Sequence, residues 1–462
     1  MHHGRGTRVR MRNLLTLVLR VPVAHGPLPL LLGVGAFASL GAFVGRRRRR
    51  LPLGAVVGWF AVALAAIVAV GTAIGIEHRV GSSFPRSFFV WAALPVFALG
   101  LTVDARRRGQ RRALGWGLAG AVLFAVFGAA EVNAHYAYVP TVGDLVGAPM
   151  RDQVPMLEAR EARAVVARVG AVAAGSRAPL PFDGSDVRLR PDRGVLMELR
   201  MPGTVSGFAA RPGYVWVPPS YLRDPGTRLP VVMMLAGVPG DPSNMARAAG
   251  ALSIADSYAA AHGGVAPILV FPDHNGGFFR DTECVDGPRG NAETYLTVDV
   301  PRVVAAAVPG AASAPWAIVG YSEGGTCAVT LSLRHPGLFR AFVDIAGDPA
   351  PNAARGPHAD ALTIARLYGH DRAAWRRHDP ARLLRERPPR DLAAWFVAGR
   401  GDRAPLGAAR ALGAEAAGAG LYTHLIEMPG GHNFDTVHRA LALTFPGVAD
   451  RLLASPPAAA AS

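Results

Sequence analysis

This 462-residue sequence predicts an α/β domain with a mostly parallel sheet, preceded by a four-helix apolar region. Three observations predict it. Beyond about residue 194, short β-branched or apolar runs alternate with helical segments, the pattern of strand–helix units. Before residue 136, four apolar runs contain no charged side chain. One of the later runs, "WAIVGY" (316–321), ends directly in a serine set among glycines, and a helix-like stretch follows it.

Half of the residues are apolar, enough for a large core, and the length calls for at least two units. All 49 basic residues are arginines, which together with the alanine, glycine and proline content points to a GC-rich coding bias rather than to arginine-specific chemistry. The formal net charge of +16 would suggest a nucleic-acid partner if it were spread over a folded domain. Instead, residues 1–136 hold 17 arginines against three acids (Glu77, Asp104 and Glu131), whereas residues 137–462 hold 32 arginines against 30 acids. The basic excess lies among hydrophobic residues, so the expected partner is a membrane and not nucleic acid.

The four apolar runs cover about 27–45, 51–76, 88–103 and 113–130. A bilayer core needs about 20 apolar residues of helix, so the first, second and fourth are long enough and the third is short. None has a polar face at helical spacing, which argues against buried helices of a soluble protein. "RRRRR" (Arg46–Arg50) separates the first two runs and "RRRGQRR" (Arg106–Arg112) the last two, while the middle loop carries only Arg79 and Arg86. The positive-inside rule places both arginine loops in the cytoplasm and both termini outside. Against this stand Arg5, Arg8, Arg10, Arg12 and Arg20; a start at Met11 instead of Met1 would remove three of them, and "NLLTLVLRVPVA" (13–24) has the character of an interfacial helix. A cleaved signal peptide is disfavoured by the spans that follow and by the lack of a small-residue cleavage site.

Residues 137–193 are expected to form a connector or a helix packed on the domain edge, with an amphipathic helix over 156–175 and a loop over 176–186. The α/β domain then occupies 194–450. Its strands are expected at "GVLMELRMP", "YVWVPPSYL", "LPVVMMLAG", "PILVFPD", "WAIVGYS", "AFVDIAGD", "AAWFVAG" and "THLIEMPG", the first of them antiparallel. The low-complexity tail 451–462 is expected to be disordered. Ligands of such sheets bind beyond the carboxyl ends of the strands.

Ser322 occupies such a strand end. Gly320 and Gly324 complete G-Y-S-E-G, the pattern of a tight strand-to-helix turn that exposes a nucleophilic hydroxyl. A serine needs a base and an orienting acid. His432 in "EMPGGHNFD" follows the last expected strand, and Asp402 in "AAWFVAGRGDR" follows the one before, with Asp348 in "DIAGDP" as the alternative acid. The order Ser322, Asp402, His432 is that of the α/β-hydrolases. An oxyanion hole needs two backbone N–H groups. Glu323, next after the serine, supplies one; Val238 in "AGVPGD" supplies the other, since Pro239 has no N–H.

The segments "TVSGFAARPGYVWVPPSYL", "LPVVMMLAGVPGDP", "DTECVDGPRGNAETYLTVDVP", "GYSEGGTCA" and "GGHNF" resemble the esterase D and antigen 85 (mycolyltransferase) group of α/β-hydrolases, particularly actinobacterial members with N-terminal membrane spans. The resemblance covers about 195–448. It implies an α/β-hydrolase fold, with helices on both faces of the sheet, behind a four-helix transmembrane region. It also implies Ser322 as nucleophile, His432 as base, Asp402 as acid, no metal or cofactor, and hydrolysis of small esters or acyl transfer to carbohydrate. "HNFDTVHRAL" lacks the tryptophan associated with the segment after the mycolyltransferase histidine, a departure from mycolyl transfer.

Cys284 and Cys327 are the only cysteines. Outside the membrane an even pair reads as a disulfide, tying "DTECVD" to the helix behind Ser322; two buried free thiols are the alternative. Two cysteines with no histidine at ligand spacing give no zinc site. Asp281, Glu283 and Asp286 read as a solvated or structural loop. His370, His378 and Asp379 fall where such hydrolases place cap helices. The expected activity is a membrane-anchored serine esterase or acyltransferase at the outer membrane face. Its expected substrates are lipid or envelope-glycan esters, aminoacyl esters of phosphatidylglycerol among them. A dedicated acyl- or mycolyltransferase and a non-catalytic binding module on the same fold are the competing readings.

Overall fold

The computed structural model describes residues 17–46, 52–74, 85–150, 153–173, 192–311, 315–354, 358–386, 389 and 391–454, without the side chains of 70–74, 86 and 170–173. Most of the arginine run 46–50, the middle loop before Pro85, the N-terminal arginines other than Arg20, the loop 176–186 and the tail beyond 454 lie outside these residues. The chain divides into two compact units, Met1–Ala148 and Pro149–Ser462.

The first unit contains helices α1 (Pro27–Gly45), α2 (Leu53–Ile74), α3 (Arg86–Arg107) and α4 (Arg111–Tyr136). Among the described residues, three helices are long and apolar enough to cross a membrane: Pro27–Gly45, Ser87–Arg107 and Arg111–Tyr136. The third run, short in sequence, gains its length from the flanking residues 86–87 and 104–107, and the second helix runs 22 residues, Leu53–Ile74, apolar over Leu53–Ala69, beyond which its side chains lie outside the described residues. Both α1 and α3 pack on α4. Small residues allow it: a Cβ on Gly33 would stand 3.0 Å from the Phe127 ring, the close approach typical of helix pairs in lipid. Of the expected interfacial helix 13–24, only 17–19 is helical among the described residues, and Pro22 then bridges Thr141.

The second unit is built on nine strands: β1 (Gln153–Leu157), β2 (Val195–Leu199), β3 (Gly213–Val217), β4 (Val231–Leu235), β5 (Ile268–Phe271), β6 (Trp316–Tyr321), β7 (Phe339–Ile345), β8 (Ala393–Gly399) and β9 (Tyr422–Met428). Their order in the sheet is β1-β2-β3-β5-β4-β6-β7-β8-β9. Every pairing is parallel except those of β3, which runs against β2 and β5. The central strands are covered on both faces, so β4, β6 and β8 are buried throughout and read as unbroken apolar runs. The helices of six or more residues are α5 (Ala159–Ala173), α6 (Ala251–Ala261), α7 (Val300–Ala307), α8 (Glu323–Arg334), α9 (Ala359–Tyr368), α10 (Arg372–Arg377), α11 (Pro380–Glu386), α12 (Arg403–Gly418) and α13 (Phe434–Ala454).

The expected connector region is divided between the two units. Residues 137–148 belong to the first unit, where Val23 N–H donates to Pro140 O at 2.9 Å. Strand β1 and helix α5 belong to the second. The helix expected from 156 begins at Ala159 because Met156 and Leu157 lie in β1, an edge strand that tolerates Pro155.

Candidate active site

The site lies at the carboxyl ends of β6, β8 and β9. Ser322 joins β6 to α8 with φ 58° and ψ −123°, a conformation that a residue with a side chain adopts only under constraint. The constraint comes from the flanking glycines: a Cβ on Gly320 would stand 1.7 Å from Gly324 O, so nothing larger fits where strand and helix cross. Ser322 N–H donates to Ile345 O at 2.9 Å and fixes the turn to β7.

His432 Nε2 lies 2.9 Å from Ser322 Oγ, and His432 Nδ1 lies 2.5 Å from Asp402 Oδ2. The imidazole is 18 % exposed, open enough for a substrate to reach it. Asp402 precedes α12, and His432 sits in the glycine turn before α13. Two hydrogen bonds lace these loops together, Arg400 N–H to Met428 O and Gly401 N–H to Gly430 O, both at 2.8 Å. The ring of Tyr321, 4.9 Å from that of His432, supports its other side. Asp348 is turned elsewhere: its N–H donates to Thr326 Oγ1 at 2.9 Å and its carboxylate accepts from Asn352 at 2.8 Å. The structure therefore brings Asp402, and not Asp348, to His432.

Glu323 is the first residue of α8, where a backbone N–H has no acceptor within the helix. Val238 lies in the loop after β4, beside Gly237, whose Cβ position would be 2.8 Å from Ser322 Cβ. Two consecutive residues after β5, Asp273 and His274, brace these two segments. Arg211 donates to Asp273 through Nε (3.0 Å) and Nη2 (2.8 Å), and its Nη2 also reaches Gly240 O in the Val238 loop at 3.1 Å. Burial would raise the Asp273 carboxyl, but the hydrogen bonds and charge of Arg211 outweigh it and hold the group below the ordinary range. His274 Nε2 lies 2.8 Å from Glu323 Oε2, to which Asn275 also donates at 3.2 Å. Burial works against a charged imidazole at His274, yet the Glu323 carboxylate outweighs it and raises the pKa.

Cys284 and Cys327 form a disulfide, with Cα atoms 5.5 Å apart. Glu323 Oε1 lies 3.4 Å from Cys327 Sγ, so the bond backs directly onto the residue after Ser322. Cys284, Glu323 and Cys327 are close enough together to hold a metal ion, but both sulfurs are bound to each other and offer no thiolate.

The loop acids, expected in a solvated or structural loop, are of both kinds: Glu283 is buried and Asp286 exposed. Burial, then the charge of Glu323, pushes Asp281 up to about 7. Glu283 is raised by burial and then by Asp281 and Glu323. Asp286 is exposed and accepts from Thr294 N–H at 2.9 Å, a turn-fixing role. In the cap segment, His370 ends α9 in a left-handed conformation at φ 72°, and Asp379 accepts from Ala381 N–H at 3.1 Å at the start of α11. His378 Nε2 meets Glu293 Oε2 at 2.8 Å, and the same buried carboxylate takes Arg334 Nε at 2.7 Å and His335 Nε2 at 2.6 Å. Glu293 thus ties the cap to the end of α8. The residues missed in sequence, Arg211, Asp273, His274 and Glu293, meet partners 29 to 85 positions away. Only the polar "DHN" directly after an apolar strand hinted at them.

The Esterase family model matches residues 210–441, half of the chain, from just before β3 through β9 and including Ser322, Asp402 and His432. A protein of Corynebacterium glutamicum without a described activity is 29% identical over 442 residues, spanning 92% of this chain and 96% of that one. An S-formylglutathione hydrolase of Paracoccus denitrificans is 29% identical over 206 residues, 40% of this chain and 66% of that one. Among solved structures, an S-formylglutathione hydrolase of Agrobacterium tumefaciens superposes with a TM-score of 0.46 at 20% identity, covering 56% of this chain and 95% of that one. With its mostly parallel sheet and its serine at a strand-to-helix turn, the chain belongs to the Esterase family of α/β-hydrolases and is a carboxylesterase-type enzyme.

Proposed function

We propose that the chain is a membrane-anchored serine esterase that acts on lipid or cell-envelope esters through Ser322, His432 and Asp402. One observation carries this reading: the continuous hydrogen-bonded line from Ser322 Oγ through His432 to Asp402. Ser322 Oγ–H donates to His432 Nε2, and His432 Nδ1–H donates to Asp402, which fixes the tautomer. As Oγ attacks the ester carbonyl, His432 takes its proton and Asp402 stabilises the imidazolium. The carbonyl oxygen becomes an oxyanion held by the Val238 and Glu323 N–H groups, each worth about 3 kcal/mol of barrier. His432 then protonates the departing alcohol. Water, activated by the same imidazole, releases the acid from Ser322.

The apolar helices give the reason for a membrane substrate. A tether confines the catalytic unit to a bilayer surface and raises the effective concentration of esters held there. If all four apolar helices cross the bilayer, the arginine placement favours the extracytoplasmic side for that surface. Aminoacyl esters of phosphatidylglycerol fit this class because their ester bond lies at headgroup level.

A fluorophosphonate probe tests the chemistry, with labelling of the wild type and none of Ser322→Ala expected. Equal labelling of both would sink the nucleophile. Product analysis on membrane lipid and glycan esters separates hydrolysis from transfer to a hydroxyl acceptor. A C-terminal reporter active only in the cytoplasm would overturn the sidedness.

A further inference from the structure

Directly after the bracing pair Asp273 and His274, the chain makes a tight turn over Gly277–Arg280, closed by Arg280 N–H to Gly277 O at 3.3 Å. The two central residues of this turn are Phe278 and Phe279, exposed by 42% and 79%. Their rings meet edge to face at 4.8 Å and present one apolar knob to solvent.

Hydrogen bonds and a disulfide hold the base of the turn. Asp273 Oδ1 accepts from Asn275 and Gly276 N–H, Asn275 Oδ1 accepts from Thr282 N–H at 2.9 Å, and the disulfide holds Cys284 just beyond. Arg280 and Arg289 stand on the same loop, the first donating to Arg289 O and the second to Asp281 O. Two guanidinium groups beside the tip suit anionic lipid headgroups. The turn is also joined to the candidate oxyanion loop, because Gly240 N–H donates to Phe278 O at 2.8 Å.

We infer that the Phe278–Phe279 turn is a docking tip that seats in the hydrocarbon boundary of an anionic bilayer, at the mouth of the ester-cleaving site. Paired aromatic side chains flanked by arginine suit the interface, where apolar rings enter the acyl region and cations meet phosphate. The inference rests on the proposed membrane-surface esterase, since only a bilayer-bound substrate gives the tip a use in the reaction.

The full chain in nanodiscs containing anionic phospholipid provides the test. Phe279→Cys labelled with bimane is expected to shift its emission to the blue and to be quenched by lipids brominated on the acyl chain. This readout needs no activity, so it decides docking even if the esterase reading fails; an unquenched, water-like bimane would overturn the inference. In a second arm, Phe279→Ser is expected to lose about 10-fold in kcat/KM on an ester of a nanodisc lipid. It should keep wild-type kcat/KM on a short water-soluble ester and the wild-type rate of fluorophosphonate labelling, and Phe279→Trp should restore the lipid activity. Equal losses on both esters, or an equal loss on a monomeric long-chain ester in water, would make the tip a seat for the substrate's own chain and overturn docking on the bilayer. Failure of the wild type to label or to cleave either ester would instead refute the esterase reading.

Discussion

His274 Nε2 stands 2.8 Å from Glu323 Oε2, with both side chains buried and Glu323 being the residue that follows Ser322. The imidazole thereby holds from behind the residue proposed to supply an oxyanion N–H. His274→Ala leaves the Glu323 carboxylate with Asn275 at 3.2 Å as its remaining side-chain hydrogen-bond donor. A shift of the first turn of α8 on the order of 1 Å costs about 100-fold. On a short soluble ester the loss should appear in kcat with KM little changed. An unaltered kcat would show that the pair does not position Glu323.

The two candidate acids can be separated directly. Asp402→Asn should lower kcat by about 10⁴-fold, because the amide no longer enforces the tautomer that presents a bare Nε2 to the serine. Asp348→Asn touches Thr326 and Asn352 instead and should leave kcat within about 2-fold of wild type, a difference at the level of ordinary surface effects. Steady-state kinetics of both variants reverses the assignment if Asp348 is the sensitive one.

Reduction should weaken the catalytic unit. The bridge spans 43 positions, and closing a loop of that length stabilises by about 4 kcal/mol in the chain-entropy account. Cys284→Ser/Cys327→Ser, or the wild type under reductant, should therefore unfold at lower denaturant. An unchanged midpoint would mean that the bridge contributes no net stability.

Asp344 in β7 is buried, accepts one hydrogen bond from Gly347 N–H at 2.8 Å, and has a pKa pushed up to about 7, first by burial and then by Asp348. The folded state holds this proton more tightly than the unfolded state, whose carboxyl titrates at its ordinary value near 4. Stability should therefore fall as pH rises from about 4 to about 7 and level off above. Asp344→Asn should flatten that slope and melt higher than wild type at pH 8. A wild-type slope that survives the substitution would place its origin elsewhere.

Ser322 and the glycines around it were legible in sequence because a nucleophile turn is a local device, with its residue types set by distances within four positions, whereas His432 was legible only from its glycine turn after the last expected strand. The choice between Asp402 and Asp348 was not, since both follow parallel strands and only the lacing of the 399–402 and 428–432 loops decides it. The braces escaped for a related reason: Arg211 and Asp273 meet across 62 positions and carry no periodic signal. Strand β1 was hidden by Pro155, which an edge strand accepts. Among the apolar runs, hydropathy gave the positions, while helix lengths depended on flanking residues that a composition window excludes.

The left-handed backbone of Ser322 makes the reactive hydroxyl a gauge of the fold's own integrity. A conformation costing about 1–3 kcal/mol persists only while β6, α8 and the Gly320–Gly324 crossing hold it. Local loosening there would relax the serine into an ordinary geometry before the sheet gives way. The rate of covalent labelling in mild denaturant should then decline ahead of the loss of secondary structure, so a single side chain reports how well the centre of the domain is assembled.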